Sequence, residues 1–98
     1  MEIVMAGAGR EVRARVYGNV QGVGFRIWAR DEAISLGLAG WIRNEADGSV
    51  TTRIAGLDEA VSTMIERLWK GPSGALVSRV DVEELAPGNT FVEFRIVA

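Results

Sequence analysis

Apolar and polar residues alternate near the start of the chain: Val12, Ala14 and Val16 are separated by Arg13, Arg15 and Tyr17. A period of two predicts a half-buried strand over 11–17. A glycine-rich turn with Gly18, Gly22 and Gly24 follows, and from Phe25 the period lengthens. Phe25, Trp28, Ala29, Ala33 and Leu36 share one face of a helix, and Gly37 sits where a C′ glycine would end it. Leu38 to Asn44 reads as a second strand, Asp47-Gly48 as a hairpin turn, and Val50, Thr52 and Ile54 as the inward positions of a third strand. After a break at Gly56, Val61, Met64, Ile65, Leu68 and Trp69 recur at helical spacing until Gly71-Pro72. Leu76, Ser78, Val80 and Val82 mark one face of a fourth strand. Pro87-Gly88-Asn89 marks a turn, and Val92, Phe94 and Ile96 a short last strand.

The order is β-α-β-β-α-β with a short final strand. Right-handed crossovers put both helices on one face of the sheet. The expected architecture is therefore an α+β ferredoxin-like sandwich: an antiparallel sheet with two helices on one face. Residues 1–10 read as a flexible N-terminal extension and 11–98 as one domain. That architecture hosts many unrelated activities and so leaves function open.

Composition narrows the chemistry. The 98 residues suit one small domain, and a net charge of −2 offers no general attraction for a nucleic-acid backbone. Cysteine and histidine are both absent, which excludes thiolate nucleophiles, disulfides and the commonest general acid–base. No cluster has metal-ligand character, so neither metal nor cofactor is expected. No apolar run is long enough to span a membrane, and the N-terminus lacks the basic segment of a signal peptide. The expectation is a cytoplasmic monomer.

One segment can hold an anion. Gly18-Asn19-Val20-Gln21-Gly22-Val23-Gly24-Phe25-Arg26 joins the first strand to the first helix. Glycines at positive φ let successive N–H groups converge on one point, and a helix start adds free N–H groups and a positive dipole end. Arg26 can fold its guanidinium onto the same anion. The same residues also suit an ordinary turn followed by a solvated arginine. Asn44, before Asp47-Gly48, suits either a turn or a hydrogen-bonded water.

Val20 to Arg26, taken with Gly37-Leu38-Ala39-Gly40-Trp41-Ile42-Arg43-Asn44 and Asp47-Gly48-Ser49-Val50, resembles the acylphosphatase family. The resemblance runs from about Val12 to Ile96. It implies hydrolysis of small-molecule acyl phosphates, with phosphate bound by backbone amides of Gln21, Gly22, Val23, Gly24, Phe25 and Arg26. Gly18, Asn19 and Val20 would shape the loop. Arg26 and Asn44 align with the essential arginine and asparagine of the family. The alternative the resemblance carries is a phosphate- or carbamoyl-phosphate-binding module of a larger maturation enzyme. A chain ending at 98 residues favours a free enzyme.

Other side chains receive simpler expectations. Gln21 is placed to donate to the anion or to brace the loop. Arg43 should point to the sheet face opposite Asn44, into solvent or an ion pair. Trp28, Trp41 and Trp69 should pack in the core or between helix and sheet. Asp58-Glu59 suits a helix start and Glu83-Glu84 a strand end. An RNA-binding module of the same topology would stack bases on strand aromatics, and the third strand has none.

Overall fold

The computed structural model describes residues 9–88 and 91–98. Strands β1 (Gly9–Asn19), β2 (Ala39–Asn44), β3 (Val50–Leu57), β4 (Leu76–Leu85) and β5 (Phe94–Ile96) form one sheet in the order β4-β1-β3-β2-β5. Helices α1 (Phe25–Ser35) and α2 (Asp58–Lys70) cover one face of it. β1 pairs antiparallel with β3 and β4, and β2 antiparallel with β3. β5 departs from the expected antiparallel pattern. The chain returns from β4, at one edge, to the far edge, where β5 runs parallel to β2 with Gly40 opposite Phe94, and the sheet is mixed.

The alternation read from sequence selects the core. Val12, Ala14 and Val16 of β1, Ile42 of β2, and Val50 and Ile54 of β3 are buried beneath Phe25, Ala29 and Ala33 of α1 and Val61, Met64 and Leu68 of α2. Thr52 shares that buried face because its hydroxyl donates to the Trp41 carbonyl at 2.8 Å. α1 closes with the paired hydrogen bonds Gly37 N–H to Ile34 O and Leu38 N–H to Ala33 O, the terminator expected at Gly37. α2 opens on Asp58 and Glu59 and closes on Arg67 and Lys70, charges that complement its dipole.

Several positions differ from the sequence reading. The β1–β4 ladder skips a residue between Tyr17 and Gly18, because Gly18 brings the backbones together at a bulge. A Cβ there would sit 2.1 Å from the Leu76 carbonyl oxygen. The extra residue inverts the alternation, so Val77 packs against the core and Leu76 is exposed. Val92 precedes β5 and is exposed. Trp28 packs edge-on against Phe25 as expected, whereas Trp69 is half exposed on α2. Trp41 lies on the helix-free face beneath the Arg43 guanidinium, 4.8 Å from its centroid. Gly9 and Arg10, assigned to the extension, already belong to β1. The rest of that extension, and Asn89 of the expected turn, lie outside the described residues.

The topology fixes where chemistry can occur. β1 and β2 run in the same direction, each being antiparallel to β3. The loop leaving β1, the start of α1 and the C-terminal end of β2 therefore meet at one end of the sheet.

Candidate active site

Two buried side chains anchor the loop between β1 and α1: Val20 at its entry and Phe25 at the first residue of the helix. Between them Gly22 and Gly24 both hold positive φ, 76° and 79°, on either side of Val23. A hypothetical Cβ at either glycine meets no atom within 4 Å, so glycine is needed for backbone conformation and the surface above stays open. Gly24 is the N-cap of α1 and makes no side-chain cap. The first turn contains no acidic residue. The helix therefore starts without the carboxylate or hydroxyl that usually occupies its first N–H groups. A pattern of free N–H donors at a dipole's positive end is suited to an anion.

Arg26 stands in that first turn, half-buried. Its isolation distinguishes it. Arg10, Arg13, Arg15, Arg30, Arg43, Arg53, Arg67, Arg79 and Arg95 each form an ion pair with a carboxylate. Among the described residues Arg26 forms none.

Asn44 ends β2. It shares the parity of the buried Ile42 and so turns toward the helix layer. Its Oδ1 is buried and accepts no hydrogen bond among the described residues. Such an acceptor costs about 1–3 kcal/mol unless a ligand or water satisfies it. Arg43, one residue earlier, turns to the other face and pairs with Glu45 at 2.9 Å, as its position predicted.

The hairpin between β2 and β3 is tied down more thoroughly than its sequence suggests. Asp47 Oδ1 accepts from the Ser49 amide at 2.9 Å and from the Ser49 hydroxyl at 2.5 Å, and Arg15 Nε donates to Ser49 Oγ at 2.9 Å. The Ser49 contacts, then Arg15, hold the Asp47 carboxyl below its ordinary pKa. Glu45 is likewise lowered, first by a hydrogen bond from Thr51 and then by Arg43. Gln21 resolves between its two sequence-based roles. Its Nε2 donates to the Glu45 and Ser49 carbonyls at 2.8 and 2.9 Å, so the side chain braces the loop. The reach of Arg15 and Gln21 across 24 to 34 residues had no local signal.

The loop, Arg26 and the end of β2 thus converge, while Asn19, last residue of β1, is exposed on the approach to the loop. Known proteins are similar to this chain over nearly its whole length. A family model described as acylphosphatase matches residues 12–96. An acylphosphatase of Mesorhizobium japonicum is 65% identical over 89 residues, covering 91% of this chain and 95% of that protein. The structure of an acylphosphatase from Coxiella burnetii superposes with a TM-score of 0.91 at 33% identity, covering 95% of this chain and 97% of its own. Full-length HypF in a phosphate- and nucleotide-bound form is more distant. It shares 22% identity over only 12% of its length, a likeness of fold alone. With the family model spanning nearly all of the described residues and close relatives matched almost end to end, this chain belongs to the acylphosphatase family.

Proposed function

We propose that this chain hydrolyses the carboxyl–phosphate bond of small-molecule acyl phosphates, releasing a carboxylate and inorganic phosphate. The observation that carries the reading is Arg26, without a carboxylate partner among the described residues, beside a helix start with no side-chain cap. In this reading the backbone N–H groups of Gln21, Gly22, Val23, Gly24, Phe25 and Arg26 surround the phosphate, and Gly18, Asn19 and Val20 shape the loop. The Arg26 fork neutralises two of the phosphate oxygens. The buried Oδ1 of Asn44 accepts a hydrogen bond from water and holds it in line with phosphorus. Phosphoryl transfer passes through a loose transition state in most analyses, so positioning and charge stabilisation supply most of the acceleration. The water's proton passes to a phosphate oxygen, which spares the protein a general base.

The leaving group suits these tools. A carboxylate departs with a conjugate-acid pKa of about 4, so it needs no protonation at neutral pH. An alkoxide does need it. The reaction requires neither metal nor cofactor on this reading. The protein acts as a cytoplasmic monomer on a diffusible substrate, without nucleic acid or membrane. Among the described residues no helix is long and apolar enough to cross a membrane. The low identity to HypF gives little support to a role as a module of a larger maturation enzyme.

The test is benzoyl phosphate hydrolysis at neutral pH with excess chelator. Wild type should turn over. Asn44→Ala should lose about 10²-fold or more in kcat with less effect on phosphate inhibition. A well-folded wild type without turnover would overturn the activity, and near-normal kcat in Asn44→Ala would overturn the water-holding role.

A further inference from the structure

Gln21 belongs to the phosphate loop, but its carboxamide points away from the cradle's task. Both Nε2 hydrogens are used, one on the Glu45 carbonyl at 2.8 Å and one on the Ser49 carbonyl at 2.9 Å. The Ser49 carbonyl also accepts the Glu45 N–H at 2.8 Å. One side chain therefore clasps the two carbonyls that flank the hairpin loop, leaving no Nε2 hydrogen for a phosphate oxygen. Glu45 directly follows Asn44, so the clasp holds the backbone one residue beyond the residue that holds the water. The loop is anchored on its own side by Val20 and Phe25, and the hairpin on its side by Arg15, Asp47 and Ser49. Gln21 links these two rigid pieces.

We propose that Gln21 is a positioning residue, whose two hydrogen bonds set the separation between the phosphate cradle and the Asn44 carboxamide. The inference rests on the water-holding role given to Asn44 above. In-line attack tolerates little error, and a displacement of about 1 Å can cost about 10²-fold in rate. A residue acting this way affects turnover through Asn44 and leaves phosphate affinity nearly intact. A side chain that touches the phosphate affects both.

The experiment compares wild type, Gln21→Met, Asn44→Ala and the double variant on benzoyl phosphate, with inorganic phosphate as competitive inhibitor and circular dichroism as the check on folding. Gln21→Met keeps the stem length and removes both donors. Its kcat should fall about 10- to 100-fold while KM and the phosphate inhibition constant move less than about threefold. In the Asn44→Ala background the same change should lower kcat less than about twofold, since the group it positions is gone. Gln21→Asn keeps the donors on a shorter stem and should show the same split, which serves if Gln21→Met does not fold. Equal losses in kcat and phosphate affinity, an undiminished loss in the Asn44→Ala background, or an unchanged kcat would each overturn the proposal. Failure of the parent reading shows separately, as near-normal turnover in Asn44→Ala alone.

Discussion

Replacing Arg26 by glutamine should remove activity and leave stability intact or slightly raised. The magnitude follows from its surroundings. A bidentate guanidinium–phosphate contact comprises two charge-assisted hydrogen bonds, each worth about 1.5–3 kcal/mol. Their loss from the transition state is about 3–6 kcal/mol, or about 10²- to 10⁴-fold in kcat/KM at about 1.4 kcal/mol per decade. Arg26 has no carboxylate partner among the described residues, so its removal orphans no buried charge. A cation in the first helical turn opposes the dipole, and neutralising it returns about 0.3–1 kcal/mol, while arginine and glutamine differ little in helix propensity. For a domain of this size 1 kcal/mol shifts Tm by about 4–8 °C. Benzoyl phosphate kinetics and thermal unfolding on the same samples read both quantities. Arg67→Gln, which breaks the Glu32 pair between the helices, is the control and should keep its activity. The reasoning fails if Arg26→Gln lowers Tm by more than about 4 °C, or if its kcat/KM stays within about tenfold of wild type.

Two other perturbations probe the frame around the site. Gly18→Ala should prevent folding or cost more than about 3 kcal/mol, since its Cβ would meet the Leu76 carbonyl oxygen at 2.1 Å and the Ser78 nitrogen at 2.8 Å, both backbone atoms. Gly24→Ala meets open space and should cost only the left-handed backbone strain of about 1–2 kcal/mol, so denaturant unfolding should rank the two far apart. Acid should loosen the hairpin that carries Asn44. Asp47 and Glu45 have folded-state pKa values below their ordinary ones, so their contribution is complete above about pH 5. It is lost as pH falls through the lowered values. Thermal unfolding between pH 7 and about pH 3 should fall less steeply in Asp47→Asn than in wild type, and equal slopes would refute the linkage.

What the sequence disclosed depended on the range of the interaction. The helices and the strands β1 to β3 were legible because one apolar period governs each, and the end of α1 was legible at Gly37 because a single residue makes that terminator. The inversion in β4 was not legible, since it arises where Gly18 meets a strand almost 60 residues later. The parallel docking of β5 was hidden for the same reason. Of the candidate site, the loop glycines and Arg26 could be named from local spacing. Asn44 could be named only through the family resemblance, its spacing being equally that of a turn. The orientation of Gln21 depends on two carbonyls 24 and 28 residues away, which no local pattern reveals.

The arrangement also explains why the leaving group must be a good one. The carboxylates nearest to Asn44 in sequence are Glu45 and Asp47, and both are engaged. Glu45 accepts from Thr51 and Arg43, Asp47 from Ser49 and Arg15, and each contact favours the ionised form. A general acid for an alkoxide must be protonated near neutral pH. These two carboxyls are shifted the opposite way, and the chain has no histidine or cysteine to replace them. Elsewhere its arginines are neutralised in ion pairs, its second helix carries dipole-complementing charges at both ends, and its buried threonine hydroxyl at Thr52 is satisfied. Among the described residues, a start of α1 without a side-chain cap, Arg26 without a carboxylate partner and an Asn44 Oδ1 without a donor depart from that consistency, and they lie at one end of the sheet. Each is a small cost to the folded state that a phosphate and a water would remove together. A site made of these three features can stabilise charge and aim a nucleophile. With Glu45 and Asp47 both shifted toward the ionised form, and no histidine or cysteine in the chain, it suits substrates whose leaving group already departs as a stable anion.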